Sequence, residues 1–293
     1  MTKVRKDKSK NRTFIALQGG LGNQLFQLCA GLKISNATDR EVKFFESFLI
    51  LPNTVHRSME LQELLMVSER SKIRSLISSP LVLVGPKLGH KIVDHFDTDF
   101  NPMHLRPKFA IVKGWFHSYD LVAGVHSALI ERLKNSPSFS PLIQNKQINA
   151  IGIHLRLGDD KSVKSRSFHG ATALGYFDEA ISNLIKEFKQ VEKVIFVTDH
   201  SNRAQDVVKG LKISQMSIPI EIISSTPIRD LSILSSCKGV VASNSSYSWW
   251  AAYLGATLRG AKVVWPKPFL ALPSIYDESL KVPNWKTIQR QVV

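Results

Sequence analysis

Cysteine is rare in this sequence: Cys29 and Cys237 are the only two among 293 residues. Both stand in apolar, helix-like surroundings, which favours free core thiols over a disulfide framework or a zinc site. No apolar stretch approaches the ~20 residues that a membrane-spanning helix needs. The amino terminus is charged and only four apolar residues follow it, which is not the pattern of a secretory signal. We therefore expect a cytoplasmic protein.

Acidic residues are also scarce: 24 Asp and Glu face 39 Lys and Arg, which gives a formal net charge of +15. Such an excess attracts nucleic acid, an anionic membrane surface or a phosphorylated small molecule. Six of the basic residues lie in residues 1–12, which we interpret as a basic, solubilising arm; peripheral contact with the inner face of the membrane is the alternative. The other charges are scattered, so a basic nucleic-acid-binding protein is the less favoured class.

Glycine is concentrated in the stretch "GGLG" (residues 19–22). It follows the strand-like run 14–18 and precedes a helix-like run in which apolar residues recur at i, i+3, i+4 and i+7 from Leu25. Residues 41–45 read as the next strand, so the region predicts a β-α-β unit. The stretch does not match the G-x-G-x-x-G pattern of a dinucleotide site.

The glycine turn also predicts a ligand nearby. Glycine permits a tight turn and a close approach to the backbone, and a helix amino terminus offers N–H groups. Gly22 and the polar side chains of Asn23 and Gln24 are therefore candidate ligand-binding residues.

The middle of the chain is harder to interpret, because residues 46–110 mix apolar runs with Pro and Gly. We predict a helix over 60–77, a strand over 109–116 and one helix over 119–133. A stretch at 134–147, rich in Pro, Ser and Asn, marks the domain boundary. The predicted domains are therefore residues 13–145 and 146–293.

The second half alternates β-rich and helical runs, which indicates an open parallel sheet with helices on both faces. The whole chain predicts an α/β fold of two Rossmann-like domains. Ligands of such folds bind at the carboxyl ends of strands. The strand candidates are residues 151–155, 194–198, 220–223, 239–242 and 263–265.

The first of these strands ends in "IGIHLRLGDD". His154 and Arg156 share one face of the strand, and Leu157 belongs to the other face. The planar fork of the Arg156 side chain suits a phosphate, and a salt bridge to Asp159 is an equal alternative.

Two further strand ends carry polar residues. Asp199 follows the second strand, where its carboxylate either accepts hydrogen bonds from a base or ribose or caps the next helix. Asn244, Ser245 and Ser246 follow the fourth strand and precede a helix, which predicts an anion-binding loop of hydroxyl and backbone N–H groups.

A competing signal is the Asp-x-Asp pair of Asp97 and Asp99, the spacing by which some sugar-transfer enzymes hold a metal-bound nucleotide. A pair this short arises easily by chance, and no set of further ligands at a known spacing surrounds it. We rank it below the other motifs and expect no metal site.

In order and spacing, several stretches resemble the family of bacterial and animal α-1,2-fucosyltransferases, glycosyltransferase family 11. The similarity extends over nearly the whole chain from Thr13. One departure is Leu157, where the family usually has a second arginine, so that Arg156 is the motif's only cation. The stretches are "GGLGNQLFQ", "GWFHSYDLV", "GIHLRLGDD", "FHGATALGYFDEAI", "VIFVTD" and "RDLSILSSCKGVVASNSSYSWWAAYLG".

The resemblance implies a GT-B fold with the active site in the cleft between two Rossmann-like domains. It also implies GDP-fucose as the donor, an oligosaccharide or lipid-linked galactoside-type acceptor, an α-1,2 linkage formed with inversion, and no metal or other cofactor. Arg156, Ser245 and Ser246 would stabilise the charge on the leaving β-phosphate. The nearest candidates for the base that takes the acceptor proton are His154 and Asp159. Another GDP-sugar, or a metal-dependent Asp-x-Asp transferase, is the alternative.

Overall fold

Two units make up the chain, each with its own parallel β-sheet: the first runs to Ser136 and the second begins at Pro137. Asp97, Asp99 and Asp159 lie outside the described residues. The structure is a computed structural model that describes residues 11–46, 58–66, 73–76, 91–94, 101–105, 109–157 and 169–292.

The division between the units falls before the predicted boundary at residue 145. The short helix Ser140–Gln144 is tied to the second unit by Arg259, whose Nη2 donates to the Leu142 carbonyl at 2.6 Å and whose Nε donates to the Asn145 carbonyl at 2.8 Å. Most of the Pro-rich stretch, from Pro137 onward, therefore belongs to the second unit.

The first unit is built on a sheet of strand order β3-β2-β1-β5-β4, in which all neighbours run parallel. The sheet contains the predicted β-α-β unit. Its described elements are β1 (Arg12–Ala16), α1 (Leu21–Ala37), β2 (Glu41–Phe45), α2 (Gln62–Met66), β3 (Ile73–Leu76), β4 (Lys91–Asp94), a 3₁₀ turn (Pro102–His104), β5 (Phe109–Lys113), α3 (Tyr119–Gly124) and α4 (His126–Lys134).

Two predictions for the first unit were wrong. Within the expected helix over 60–77, the described helix is Gln62–Met66, whereas residues 73–76 form the strand β3, which pairs in parallel with β2 from Val42 to Phe45. Backbone pairing to a neighbouring strand overrides a local helical pattern. The expected single helix over 119–133 is divided into α3 and α4 at Val125, whose φ of −123° and ψ of 12° are not helical.

The second unit has a six-stranded parallel sheet of order β11-β10-β9-β6-β7-β8. Four of the five predicted strands differ from the observed ones only at their ends, and 220–223 matches. Its elements are α5 (Ser140–Gln144), β6 (Ile148–Leu155), α6 (Leu174–Phe188), β7 (Lys193–Thr198), α7 (Ser201–Lys209), a 3₁₀ turn (Lys212–Gln215), β8 (Ile220–Ile223), α8 (Pro227–Ser236), β9 (Cys237–Val241), α9 (Ser246–Arg259), β10 (Lys262–Lys267), α10 (Tyr276–Ser279) and β11 (Lys286–Gln289).

Packing of the central strand β6 determines which face of the sheet carries His154. Ile151, Ile153 and Leu155 point to one face and join the buried cluster formed with α6 and α7. Side chains alternate along a strand, so Gly152 and His154 belong to the opposite face. A Cβ built on Gly152 would indeed lie 3.2 Å from Leu234 Cδ2 on α8.

The fold class is confirmed: the chain is an α/β protein of two Rossmann-like units, as in the GT-B type. The prediction of two free core thiols is also confirmed, because Cys29 and Cys237 are both fully buried and unpaired with each other. Burial raises the pKa of both thiols, that of Cys237 to about 12. Among the described helices, none is long and apolar enough to cross a membrane.

The close contact at Gly152 gives a test of packing on the site side of β6. An alanine Cβ would lie 2.8 Å from Cys237 Sγ. We expect Gly152→Ala to lower the free energy of unfolding, measured in urea, by roughly 1–3 kcal/mol, because overpacking shifts β6 or β9. Gly175→Ala, in α6, is the matched control: nothing lies within 4 Å of its Cβ position. Equal losses in the two variants would contradict the packing argument.

Candidate active site

Three adjacent strands of the second unit bring most of the predicted site residues together. The order β9-β6-β7 places the carboxyl ends of these parallel strands side by side. His154 and Arg156 stand at the end of β6, Asp199 follows β7, and the loop from Ser243 to Ser246 follows β9. From β6 the chain continues to β7 and β8 on one side of the sheet, and β9, β10 and β11 lie on the other side. The order of strands therefore reverses between β6 and β9, and α/β folds bind ligands at such a switch point.

His154 is a buried, neutral partner of the β9 loop. Its side chain is 7% exposed, its Nδ1 lies 3.0 Å from Ser243 Oγ, and its ring centroid lies 4.9 Å from that of Tyr247. Burial lowers the pKa of His154 from its ordinary 6.5 to about 4; Asp199 opposes this shift and Arg156 adds to it. The imidazole is therefore uncharged at neutral pH.

The loop between β9 and α9 is held by its own serines. The Ser243 N–H donates to Ser248 Oγ at 2.8 Å, and the Ser245 N–H donates to the Ser243 carbonyl at 2.8 Å. Ser245 occupies the N-cap position of α9, and its hydroxyl makes no capping hydrogen bond to this helix. The positive end of a fourteen-residue helix therefore begins beside the end of β6.

Asn244, predicted to bind the donor, is hydrogen-bonded within the second unit. It is 7% exposed, and its Nδ2 donates to the carbonyls of His169 (3.0 Å) and Gly170 (3.2 Å). Its Oδ1 accepts from Thr172 Oγ1 at 3.2 Å. The amide thus fastens the segment before α6 to the β9 loop.

Asp199 joins the ends of β6 and β7. Its Oδ1 accepts a 2.9 Å hydrogen bond from the Leu157 N–H, and Arg203 donates to the Leu157 carbonyl. The predicted alternative, a helix cap, is wrong because α7 begins at Ser201 with His200 as its N-cap. The Leu157 side chain packs on the apolar cluster below β6, on the face away from His154.

The two polar residues after the glycine turn, Asn23 and Gln24, have different partners. Gln24 is fully buried: its Nε2 donates to the carbonyls of Gly19 (3.0 Å) and Ser58 (2.9 Å), and its Oε1 accepts from the Glu60 N–H at 3.0 Å. The amide of Gln24 thus links the glycine turn to residues 58–60 within the first unit. Gly22 is buried in the first turn of α1.

The position of the Asn23 side chain shows why residue 19 must be glycine. Gly19 has a φ of +74°, and a Cβ at this position would lie 2.2 Å from Asn23 Nδ2. Only glycine combines this backbone with the space that the amide occupies. The other end of the amide, Oδ1, lies 3.0 Å from His117 Nε2.

Two buried residues of structural weight, Gln27 and Arg290, were not predicted. The guanidinium of Arg290 donates to the carbonyls of His169, Gly170 and Leu270 at 2.7–3.0 Å, and burial lowers its pKa to about 10. A lone arginine in the polar stretch after the last tryptophan gave no pattern from which to infer this role.

Protonation of His154 should make the stability of the protein depend on pH. Between pH 6.5 and about 4 the unfolded chain protonates this histidine and the folded protein does not. The free energy of unfolding is therefore highest above pH 6.5 and falls as the pH drops to about 4. The size of the effect is about 3 kcal/mol. We expect His154→Gln to lose less stability than wild type between pH 6.5 and 4 in urea unfolding, while both proteins run parallel above pH 7. Identical acid limbs would show that His154 is not the titrating group.

Comparison with known proteins gives one curated relative at low identity. The O-antigen biosynthesis glycosyltransferase WbnK of Escherichia coli is 23% identical over 299 residues, which cover 88% of this chain and 95% of WbnK.

Among solved structures the similarities are distant. A mutant of Arabidopsis thaliana FUT1 in complex with GDP is 12% identical, with 92% of this chain and 73% of that chain covered and a TM-score of 0.45. The E. coli heptosyltransferase WaaC with ADP is 11% identical, with 95% and 93% covered and a TM-score of 0.47. At these values the solved structures carry no argument about substrate.

The family comparison is decisive. The model of glycosyl transferase family 11 matches residues 107–289 of the 293, which is more than half of the chain and includes every site residue of the second unit. The chain is therefore a glycosyltransferase and belongs to glycosyl transferase family 11.

Proposed function

We propose that this glycosyltransferase moves L-fucose from GDP-fucose to a hydroxyl of a galactoside-type glycan, with an α-1,2 linkage, inversion at the anomeric carbon and no metal. The observation that carries the proposal is that Arg156 follows β6 and the start of α9 follows β9, so both lie at the carboxyl edge of two adjacent strands of the second unit. The motifs shared with α-1,2-fucosyltransferases support the donor and the linkage. The O-antigen relative supports a glycan acceptor.

The diphosphate of the donor matches the chemistry at the end of β6. As the bond between the fucosyl C1 and the β-phosphate oxygen breaks, negative charge grows on the leaving GDP. The guanidinium of Arg156 and the positive end of α9, at Ser245 and Ser246, are suited to stabilise that charge. C1 becomes positive in an oxocarbenium-like transition state, as in other glycosyl chemistry.

Proton removal from the acceptor hydroxyl is the second requirement. His154 is a poor base because its pKa of about 4 lies far below neutral pH and its ring is buried against Ser243 and Tyr247. The proposal therefore gives this proton to Asp159 and gives His154 the task of holding the β9 loop. The new bond joins the acceptor oxygen to C1 on the face opposite to the departing GDP.

Arg156 is the residue on which the proposal depends most. We expect Arg156→Ala to lower kcat/KM by roughly 100-fold or more, the typical loss when one donor to a developing charge is removed. Arg156→Lys should also be slow, because an ammonium does not reproduce the planar fork. GDP release in the presence of acceptor measures both. Arg12→Ala is the matched control: Arg12 begins β1 and pairs with Glu41 on the surface. Full activity of Arg156→Lys would contradict phosphate clamping.

Substrate and metal are tested together with purified protein. Incubation with a panel of GDP-sugars, with and without galactoside acceptors, should give a linked product from GDP-fucose and not from GDP-mannose. The rate should be unchanged in excess EDTA. Loss of activity in EDTA that manganese restores would instead support the Asp97 and Asp99 pair, and preference for another GDP-sugar would overturn the assigned donor.

A further inference from the structure

The first unit has a switch point of its own. Its sheet order places β1 between β2 and β5, so the chain leaves β1 to one side while β5 lies on the other. Open α/β sheets bind ligands at such a point, beyond the carboxyl ends of the two strands. The loops there are residues 17–20 after β1 and residues 114–118 after β5.

Gln27 fixes these two loops relative to each other. It is fully buried, its Oε1 accepts from the Gln18 N–H at 3.1 Å, and its Nε2 lies 3.3 Å from the Gln18 carbonyl and 3.2 Å from that of Gly114. One amide on α1 thus joins the ends of both strands, and the loops form a preorganised surface.

Asn23 and His117 meet across this surface. The Asn23 amide oxygen accepts only, so in the 3.0 Å contact His117 Nε2 carries the proton and donates it. The imidazole is 9% exposed and packs against Phe26, with ring centroids 4.9 Å apart. The other end of the amide, Nδ2, occupies the space that a side chain on Gly19 would fill, 2.2 Å from an ideal Cβ at that position.

Trp115 is the aromatic member of the group. It is partly exposed, and its ring is inclined by only 30° to that of His117 at a centroid distance of 6.2 Å. The next residue, Phe116, has a φ of +55°, a conformation that bulky side chains rarely adopt, and it is 1% exposed. Burial of Phe116 holds this backbone, which places Trp115 and His117 side by side.

We propose that Trp115, Asn23 and His117 form the subsite that binds the pyranose ring of the acceptor. A flat aromatic ring presents a surface for the C–H face of a sugar, and the Asn23 amide, positioned by His117, can hydrogen-bond to sugar hydroxyls beside it. None of the three carries a fixed positive charge, so they suit a neutral ring better than a diphosphate. The assignment of this ring to the acceptor depends on the proposed fucosyl transfer; the sugar site itself does not.

Separate titrations of methyl β-galactopyranoside and GDP, followed by saturation-transfer NMR and calorimetry, test the subsite. We expect Trp115→Ala to weaken galactoside binding about tenfold or more and to leave the Kd of GDP within about twofold. Arg156→Ala should do the reverse. In turnover, Trp115→Ala should raise the KM for the acceptor and leave the KM for the donor unchanged.

Two further variants separate binding from folding. Trp115→Phe keeps a ring and should lose less galactoside affinity than Trp115→Ala, at equal urea midpoints. Trp285→Phe changes a partly buried tryptophan that packs in the second unit, and it should alter neither titration. Galactoside binding that does not depend on Trp115, or a loss of GDP binding in Trp115→Ala, would overturn the subsite. Galactoside binding that depends on Trp115, without transfer from any GDP-sugar, would sustain the subsite and refute the proposed transfer.

Discussion

Buried polar side chains at the strand ends are the constraint on which both sites depend. A parallel sheet collects its loops at one edge, and these loops must satisfy their backbone groups without sheet partners. In the first unit, Gln27 does this for the loops after β1 and β5; in the second, His154 contacts the Ser243 hydroxyl of the loop after β9, and Asn244 of that loop donates to carbonyls of the segment before α6. Each amide or imidazole used in this way holds the chain next to a candidate binding residue in a fixed position.

Arg290 extends this constraint to the end of the chain. It follows β11, and its guanidinium binds carbonyls of two segments: the one before α6, at His169 and Gly170, and the one after β10, at Leu270. The Gly170 carbonyl also accepts from Asn244. The geometry of the β9 loop therefore depends on Arg290, which contacts none of the described candidate catalytic residues. Its guanidinium has five N–H donors in one plane, so a single side chain can bind several carbonyls.

Hydrophobic runs predicted the central strands of both sheets, because β1, β6, β7 and β9 are buried on both faces. The strands β3, β4 and β11 were missed, since "IRSL", "KIVD" and "KTIQ" are short, partly polar and strands only through their neighbours. The site shows the same limit. The sequence correctly predicted that Asn244 lies in a loop after a strand and that Gln24 lies at the start of a helix. Residue type alone does not reveal that each amide donates a hydrogen bond to a carbonyl elsewhere in the chain.

The two switch points differ in chemistry in a way that fits a transfer between unlike substrates. At the end of β6 stand an arginine and the positive end of a helix, and burial keeps the adjacent His154 neutral, so Arg156 supplies the charge of this pair. At the ends of β1 and β5 stand an amide, an imidazole and a tryptophan. A nucleotide diphosphate needs fixed positive charge, whereas a neutral sugar needs an apolar surface edged by hydrogen-bonding groups. One sheet architecture, used twice, therefore presents a charged edge and an uncharged edge, according to the residues that follow its central strands.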